Sequence, residues 1–329
     1  MRKSLRVGLT VVCLSSAVVL TAMAIRGCAL SSSDPDVRAI AVQWLTDQTV
    51  LARIAHGDSR GSVRAAAVAK LSDQTVVSRI AQEDRNMFVR LAAVKRLTDQ
   101  TLLVEVATKN RWGLVHKAAL KKLTDRRLIL VAREHVEMTV RRGAVEVLTD
   151  QTVLAKVALE DNDHSVRETA VKQLTDQSVL AKVALEDNDH SVREAAVKQL
   201  TDQSVLAKIA QEDEHSLVRL AAIEKLTDQA VLAKIAQESY RSSRVSQAAI
   251  MQLTDQATLA AIAPGEFSFA LRRVAVRKLT DRTALAKIAQ EERERVLREY
   301  ARKKLRATTE TATTERTATG MLVGIFESS

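Results

Sequence analysis

The sequence predicts an all-α fold, an α-solenoid of about 10–11 stacked two-helix repeats. The tetrapeptide Leu-Thr-Asp-Gln, or a near copy of it, recurs ten times at spacings of 25 to 27 residues. A fixed period of this size is typical of stacked repeats, each too small to bury its own apolar face. Aromatic residues make up 2% of the chain, with two prolines and nine glycines, which favours short helices over strands.

The copy from Asp202 to Leu226 shows how one repeat is built. Asp202 is a typical helix N-cap, and the residues after it form an apolar stripe of helical period that predicts a helix of about ten residues, helix A: Val205, Leu206, Ile209 and Ala210. The polar residues 211–215 predict a turn. A second stripe predicts helix B: Val218, Ala221, Ala222 and Leu226. Neither helix is long enough to persist alone in water, so stacking is obligatory.

The two ends of the array carry boundary signals. Asp34-Pro35 precedes the first helix B as an N-cap followed by proline at the first helical position. Eleven copies of helix B are visible, and the last runs from Val296 to Leu305. There Arg302 replaces the inward Val or Ile among charged neighbours, which predicts a polar C-terminal cap. The sequence thus divides into an N-terminal segment, 1–30, an array, 31–305, and a Thr-rich flexible tail, 306–329.

The first 30 residues predict an export segment. Residues 7–25 are a run of 19 uncharged, largely apolar residues between Arg6 and Arg26. At about 1.5 Å per residue, such a helix just spans a hydrocarbon core of roughly 30 Å. The triplet 22–24, Ala-Met-Ala, fits a cleavage site, so a cleaved signal peptide and a retained membrane anchor both stay open. The basic start favours a cytoplasmic N-terminus, so we expect a periplasmic, extracellular or membrane-anchored array facing away from the cytoplasm.

Both cysteines lie in this N-terminal region. Cys13 and Cys28 leave the repeats without a disulfide, a thiolate metal site or an iron–sulfur ligand set. Cys28 follows Gly27, as in a lipoprotein acylation site, whereas Arg26 stands where a small apolar residue is expected. Cys28 is therefore a candidate for lipidation. We expect no cofactor.

The recurring Val-Arg-x-Ala-Ala-Val-x-x-Leu pattern resembles the bacterial HEAT-like repeats, including the short variants related to bilin-lyase repeats. The resemblance covers residues 34–305 and is specific for fold rather than function. Leucine-rich-variant repeats have a similar length, but known examples can carry an N-terminal cysteine cluster, which is missing here.

The same resemblance implies a polar ladder. HEAT repeats typically hold an aspartate in the turn between their helices and an arginine in the second helix, and these stack from repeat to repeat. Here the two stand six residues apart as Asp58 and Arg64, Asp84 and Arg90, Asp161 and Arg167, Asp187 and Arg193, and Asp213 and Arg219. We interpret these residues as structural. Glu266 with Arg272 and Glu292 with Arg298 vary the pair conservatively.

The acid and the base of this pattern are lost together. Where His116 replaces the arginine the turn holds Asn110, and where Ser246 replaces it the turn holds Tyr240. Such coupled loss is expected if the two side chains pair within one repeat, because a lone buried charge is costly. Arg141, whose turn holds a histidine, is the exception.

Helix A carries a cationic residue at one recurring position, which we call the basic stripe: Arg53, Arg79, Lys156, Lys182, Lys208, Lys234 and Lys287. It suggests either an electrostatic track for an anionic polymer or lipid surface, or a solvated face that keeps the array soluble. Single-stranded nucleic acid is disfavoured, because the chain has few aromatic stacking platforms.

No His-Glu-x-x-His, paired Cys-x-x-Cys or phosphate-binding glycine loop occurs in the sequence. Residues 152–177 and 178–203 differ at only two positions, which indicates a recent duplication. An enzyme whose active-site geometry spans this segment would not tolerate an added copy. We therefore expect a non-enzymatic scaffold that binds another protein, with an accessory lyase-type enzyme as the alternative. Recognition is expected where the pattern breaks, as at Trp112 and His116 or at residues 240–244.

Overall fold

The computed structural model describes residues 21, 23–28, 31–110, 113–237 and 243–307. All regular secondary structure in these ranges is helical, and the helices pack neighbour against neighbour, so the predicted all-α solenoid is confirmed. The chain divides into two compact units, residues 1–173 and 174–329, which are described separately.

In the first unit, helices of type B and type A alternate from the start of the array. They are α1 (Pro35–Trp44), α2 (Gln48–Gly57), α3 (Gly61–Val68), α4 (Gln74–Glu83), α5 (Met87–Arg96), α6 (Gln100–Lys109), α7 (Leu114–Lys121), α8 (Asp125–Glu134), α9 (Met138–Val147), α10 (Gln151–Glu160) and α11 (His164–Val171). Odd numbers are type B.

The second unit repeats the alternation, with type A first. Its helices are α12 (Gln177–Glu186), α13 (His190–Gln199), α14 (Gln203–Glu212), α15 (Ser216–Lys225), α16 (Gln229–Gln237), α17 (Ser243–Gln252), α18 (Gln256–Ile262), α19 (Phe269–Lys278) and α20 (Arg282–Glu291), and residues 295–307 are also helical.

Helices α14 and α1 begin at the caps that the sequence predicts. Asp202 accepts hydrogen bonds from the main-chain N–H groups of Ser204 and Val205, which satisfies two donors that have no partner inside the helix. Asp34 caps α1 in the same way, with Pro35 in the first turn. Helix α14 continues through Glu212, so the predicted turn at 211–215 began two residues too early.

The core lies between helices A and B and contains the leucine of every tetrapeptide. Leu71 and Leu97 are at most 1% exposed in the first unit, and Leu200 is fully buried in the second. Complete burial of a leucine side chain stabilises the folded state by about 1.5–3 kcal/mol. Neighbouring helices B pack closely on each other, while neighbouring helices A touch at few points. We call the side of each unit that carries the turns from helix A to helix B its turn edge. Ser59, Arg60 and Arg85 in these turns are exposed.

Within the described residues, no helix has the length and apolar character needed to cross a membrane. Most of the apolar run at 7–25 lies outside these residues, as do Cys13, Trp112, Tyr240 and the tail from 308 onward.

Candidate partner-binding surface

Arginine side chains on the B helices bond to the turns between helices A and B. Arg64 Nε donates to Asp84 Oδ2 at 2.7 Å, and its Nη2 donates to Oδ1 at 2.8 Å. Its Nη1 donates to the main-chain carbonyl of Asp58 at 2.8 Å. One guanidinium thus ties the turn of its own repeat to the turn of the next. We call these residues the ladder arginines: Arg38, Arg64, Arg90, Arg141, Arg167, Arg193, Arg219, Arg272 and Arg298.

The predicted ion pairing within one repeat is wrong. The carboxylate of Asp58 accepts from Arg38, twenty residues earlier, and Arg64 reaches Asp58 only through its main-chain oxygen. Equivalent pairs join Arg141 to Asp161, Arg193 to Asp213 and Arg272 to Glu292. An aspartate and an arginine that stand six residues apart are joined through the main-chain carbonyl of the aspartate. The arginine donates to this carbonyl from Arg90 to Asp84, Arg167 to Asp161, Arg193 to Asp187 and Arg219 to Asp213.

This geometry explains the exception that the sequence contains. Arg141 needs no acid in its own turn, because Nη1 donates to the carbonyl of His135 at 2.8 Å and any residue supplies a carbonyl. The carboxylate for Arg141 comes instead from Asp161, at 2.8 Å from Nε.

The buried pairs shift the pKa values of both partners. Burial acts to raise the pKa of Asp84, but hydrogen bonds from Arg64 and from the N–H of Asn86, together with the charge of Arg64, hold that pKa below its ordinary value. The hydrogen bond to Asp84 raises the pKa of Arg64. Both groups are therefore charged at neutral pH.

A second tie between repeats was missed in the sequence, and it accounts for the Thr and Gln of the tetrapeptide. Gln203 Oε1 accepts from the N–H of Thr227 at 2.9 Å and from its hydroxyl at 3.0 Å. Gln203 Nε2 donates to the carbonyl of Lys225 at 3.1 Å. We call this arrangement the Gln–Thr clamp, and its bond from the threonine N–H to the glutamine Oε1 recurs at Gln74–Thr98, Gln177–Thr201, Gln229–Thr254 and Gln256–Thr280. The fixed spacing of Gln and Thr was the signal that could have revealed it.

The basic stripe is exposed at all seven positions, and no ion pair to any of its members is seen among the described residues: Arg53, Arg79, Lys156, Lys182, Lys208, Lys234 and Lys287. Glu105, Leu130 and Ala261 occupy the same helix position in other repeats and interrupt the stripe. A glutamate also follows one turn after most of these cations, as Glu212 follows Lys208. The face is therefore mixed in charge.

Clefts open beside the ladder between successive turns. The cleft next to Arg193 has a volume of about 540 Å³ and is lined by two cationic side chains and five carboxylates: Lys208, Arg193, Glu186, Asp187, Glu212, Asp213 and Glu214. A similar cleft of about 430 Å³ lies next to Arg64 and Arg79. This excess of carboxylates beside Arg193 opposes binding of a polyanion there.

The ladder is interrupted in the middle of the first unit. Asn110 stands where Arg90 would find its carboxylate, and it turns its amide inward to the carbonyls of Ala81 and Val106. His116 replaces the next ladder arginine and approaches the carbonyl of Ala107 with Nδ1 at 2.8 Å.

His116 is accommodated by a glycine on the neighbouring helix. A Cβ added to Gly143 would lie 2.0 Å from His116 Nε2, and the equivalent residue in the second unit is Ala195. The imidazole thus occupies the space that an alanine methyl fills elsewhere.

No group of three or more His, Cys, Asp or Glu side chains that would hold a metal ion occurs among the described residues. Cys28 is exposed, and its lipidation stays a prediction.

No protein-family profile matches this sequence, and no curated protein matches it. A search of solved structures found similarity to "a leucine-rich repeat variant with a novel repetitive protein structural motif", with 21% identity, 69% of this chain and 89% of that chain covered, and a TM-score of 0.47. The chain is a helical repeat protein. Membership of the HEAT group stays an expectation from the sequence.

Proposed function

We propose that this chain is a non-enzymatic scaffold that binds another protein along its turn edge. The proposal rests on a cleft that recurs along the repeats. Comparable clefts lie beside Arg38, Arg64, Arg193 and Arg272. A surface that recurs in successive repeats suits an extended partner better than a small substrate, since catalysis requires one convergent set of groups.

We further propose that the scaffold works outside the cytoplasm. The support is the apolar run at 7–25 with its flanking Arg6 and Arg26. On this proposal the partner is an exported or membrane-associated protein. Fractionation of native cells, followed by protease treatment of intact cells or spheroplasts, tests the location: digestion of the array from outside is expected, and complete protection inside intact spheroplasts would contradict it.

The scaffold proposal is tested by cross-linking the full-length protein in native cells. We expect one protein partner to be recovered in near-stoichiometric amount. Recovery of a covalently loaded small molecule, or substrate turnover by the purified chain, would favour the lyase-type alternative instead.

An anionic polymer or lipid surface is the second candidate, because the basic stripe is exposed and without ion pairs among the described residues. The glutamates beside the stripe oppose binding of an anionic polymer or lipid surface. Binding to heparin or to anionic vesicles that weakens steeply with salt would support this candidate. Binding that is absent at low salt would exclude it.

A further inference from the structure

The first helix B of the array carries an exposed apolar face. Val37, Ile40 and Trp44 stand on one side of α1, at positions i, i+3 and i+7, and these residues are 40%, 58% and 69% exposed. We call these three residues the N-terminal face. A group of exposed apolar side chains on one face often marks an interaction site.

The same helix positions face the preceding helix B in later repeats. Val63, on α3 at the position of Val37, is fully buried. Lys70, at the position of Trp44, follows α3 and donates from Nζ to the main-chain carbonyl of Gln43 on α1. No helix of type B precedes α1 in the described residues, so the N-terminal face lies at the end of the stack and points away from the second repeat.

Helix α1 also differs from the later helices B in residue type at these positions. Alanine is common at the position of Ile40, as Ala66 and Ala92 show. At the position of Trp44, most later repeats hold a polar side chain that donates to a carbonyl at the end of the preceding helix B: Lys70, Arg96, Lys122, Gln173, Lys225, Lys278 and Lys304. The first repeat is therefore apolar where the terminal repeats of soluble solenoids are polar.

Short contacts hold the first repeat close to the end of the apolar run at 7–25. Arg26, directly after this run, lies 3.8 Å from Asp47, the N-cap of α2. Arg38 on α1 donates from Nη1 to the main-chain carbonyl of Ser32 at 2.7 Å. Helix α1 begins ten residues after the run ends, a distance of at most about 36 Å even for an extended chain. The N-terminal face thus stands within reach of a membrane that the run enters.

We propose that the N-terminal face lies in the headgroup region of the lipid bilayer that the run at 7–25 spans. Tryptophan prefers this region, because its ring is apolar and its N–H is polar, and Trp44 is the most exposed residue of the face. The apolar side chains of the face replace the repeat that would otherwise cover α1. This inference rests on the proposed location outside the cytoplasm, and it adds a lipid surface that positions the first repeat.

A second copy of the chain is a weaker occupant of the face. A stable dimer buries roughly 800 Å² per partner, or about 20–30 residues a side, and three side chains fall far short of this. Stacking of one array on the end of another would bring exposed Arg302 and Lys303 onto the apolar face, where their charges would lose water.

The run at 7–25 is also a weaker occupant. It is largely apolar on all sides and 19 residues long, which suits a bilayer rather than a face of three residues. Met23, in the described part of the run, is 65% exposed, and the N-terminal face stays exposed beside it.

Quenching of tryptophan fluorescence in the full-length protein tests the contact with lipid. The protein is reconstituted in phosphatidylcholine vesicles that contain phosphatidylglycerol, and Trp112→Phe leaves Trp44 as the single tryptophan. We expect lipids brominated near the headgroup to quench the emission of Trp44. We also expect the acrylamide quenching constant of Trp44 to be several-fold lower than that of the control reporter.

The control reporter is a single tryptophan at position 88, in the triple variant Trp44→Phe/Phe88→Trp/Trp112→Phe. Phe88 is 72% exposed and Trp44 is 69% exposed, so the protein itself shields the two positions to a similar extent. Phe88 lies on α5, two helices B beyond α1, which corresponds to about 20 Å at the usual helix spacing. We expect brominated lipids to leave this reporter unquenched.

Hydroxyl-radical footprinting of the unsubstituted protein makes the same comparison without any effect of substitution on folding. Oxidation of Trp44 and of Phe88 is measured by mass spectrometry in vesicles, with the urea-unfolded chain as the reference for each residue. We expect Trp44 to be protected several-fold more than Phe88.

Three results would overturn the inference. The first is acrylamide quenching of Trp44 as strong as that of the control reporter. The second is protection of Trp44 from acrylamide without quenching by brominated lipids, which would assign the face to a polypeptide, either residues 7–25 or a second copy. The third is equal lipid quenching of both reporters, which would mean that the array lies along the bilayer.

The proposed function is measured separately. Recovery of a cross-linked protein partner would support the scaffold whatever the result at Trp44. Complete protection of the array inside intact spheroplasts would contradict the location, even if Trp44 contacts lipid in vesicles.

Discussion

Arg64 Nε lies 2.7 Å from Oδ2 of Asp84, twenty residues further along the chain, and both side chains are at most 7% exposed. This buried pair joins two successive repeats, while the third guanidinium nitrogen holds the turn of its own repeat. The stack is therefore tied by charged groups at its turn edge as well as by apolar packing between its helices.

Removal of a ladder arginine is expected to lower stability more than partner affinity. In Arg193→Ala the carboxylate of Asp213 stays buried without its partner, which typically costs about 3–5 kcal/mol. Urea and thermal unfolding measure the change. Lys172→Ala is the control, because its pair with Glu168 is on the surface and contributes a few tenths of a kcal/mol at most. A variant that kept its melting temperature but lost its partner would show that Arg193 is a binding residue.

Removal of a Gln–Thr clamp is expected to have a smaller effect. Gln203→Ala removes two hydrogen bonds from Thr227 and one to the carbonyl of Lys225, and each such bond contributes about 0.5–1.5 kcal/mol. Gln290→Ala, at an exposed position of α20, is the control. Equal melting temperatures for the two variants would mean that the clamp contributes nothing to stacking.

Gly143→Ala is expected to destabilise the first unit even though alanine favours helix by about 1 kcal/mol over glycine. The new methyl group would overlap the ring of His116, and overpacking of this kind costs about 1–3 kcal/mol. The double variant His116→Ala/Gly143→Ala relieves the overlap, so its melting temperature should exceed that of Gly143→Ala alone. If the two substitutions changed the melting temperature additively, His116 and Gly143 would not be in contact.

Acid is expected to weaken the ladder. The folded pKa of Asp84 lies below its unfolded value near 3.8, so its contribution is complete well above that value and is lost as the pH falls through the folded pKa. The difference in melting temperature between the wild type and Asp84→Asn, measured from pH 7 to pH 2.5, should therefore narrow as the pH falls below the unfolded pKa near 3.8. A difference in melting temperature that stays constant over this pH range would show that the charge of the Asp84 carboxylate does not stabilise the fold.

The repeat, its helices and its caps followed from the sequence because period, apolar stripes and N-cap aspartates are local signals. The register of the ladder did not. With a 26-residue period, an arginine six residues after one carboxylate stands twenty residues before the next, so spacing alone fits both pairings. Only the direction of the Arg64 side chain decides between Asp58 and Asp84. The space that Gly143 leaves for His116 likewise depends on packing between helices.

A double-mutant cycle tests the central claim, that ladder carboxylates pair between repeats, most directly. Arg64→Met is combined with Asp84→Asn in one cycle and with Asp58→Asn in the other, and the free energy of unfolding is measured for every variant. We expect a coupling energy of about 2 kcal/mol or more between Arg64 and Asp84, and a clearly smaller one between Arg64 and Asp58, whose carboxylate pairs with Arg38. Stronger coupling of Arg64 to Asp58 would contradict the account.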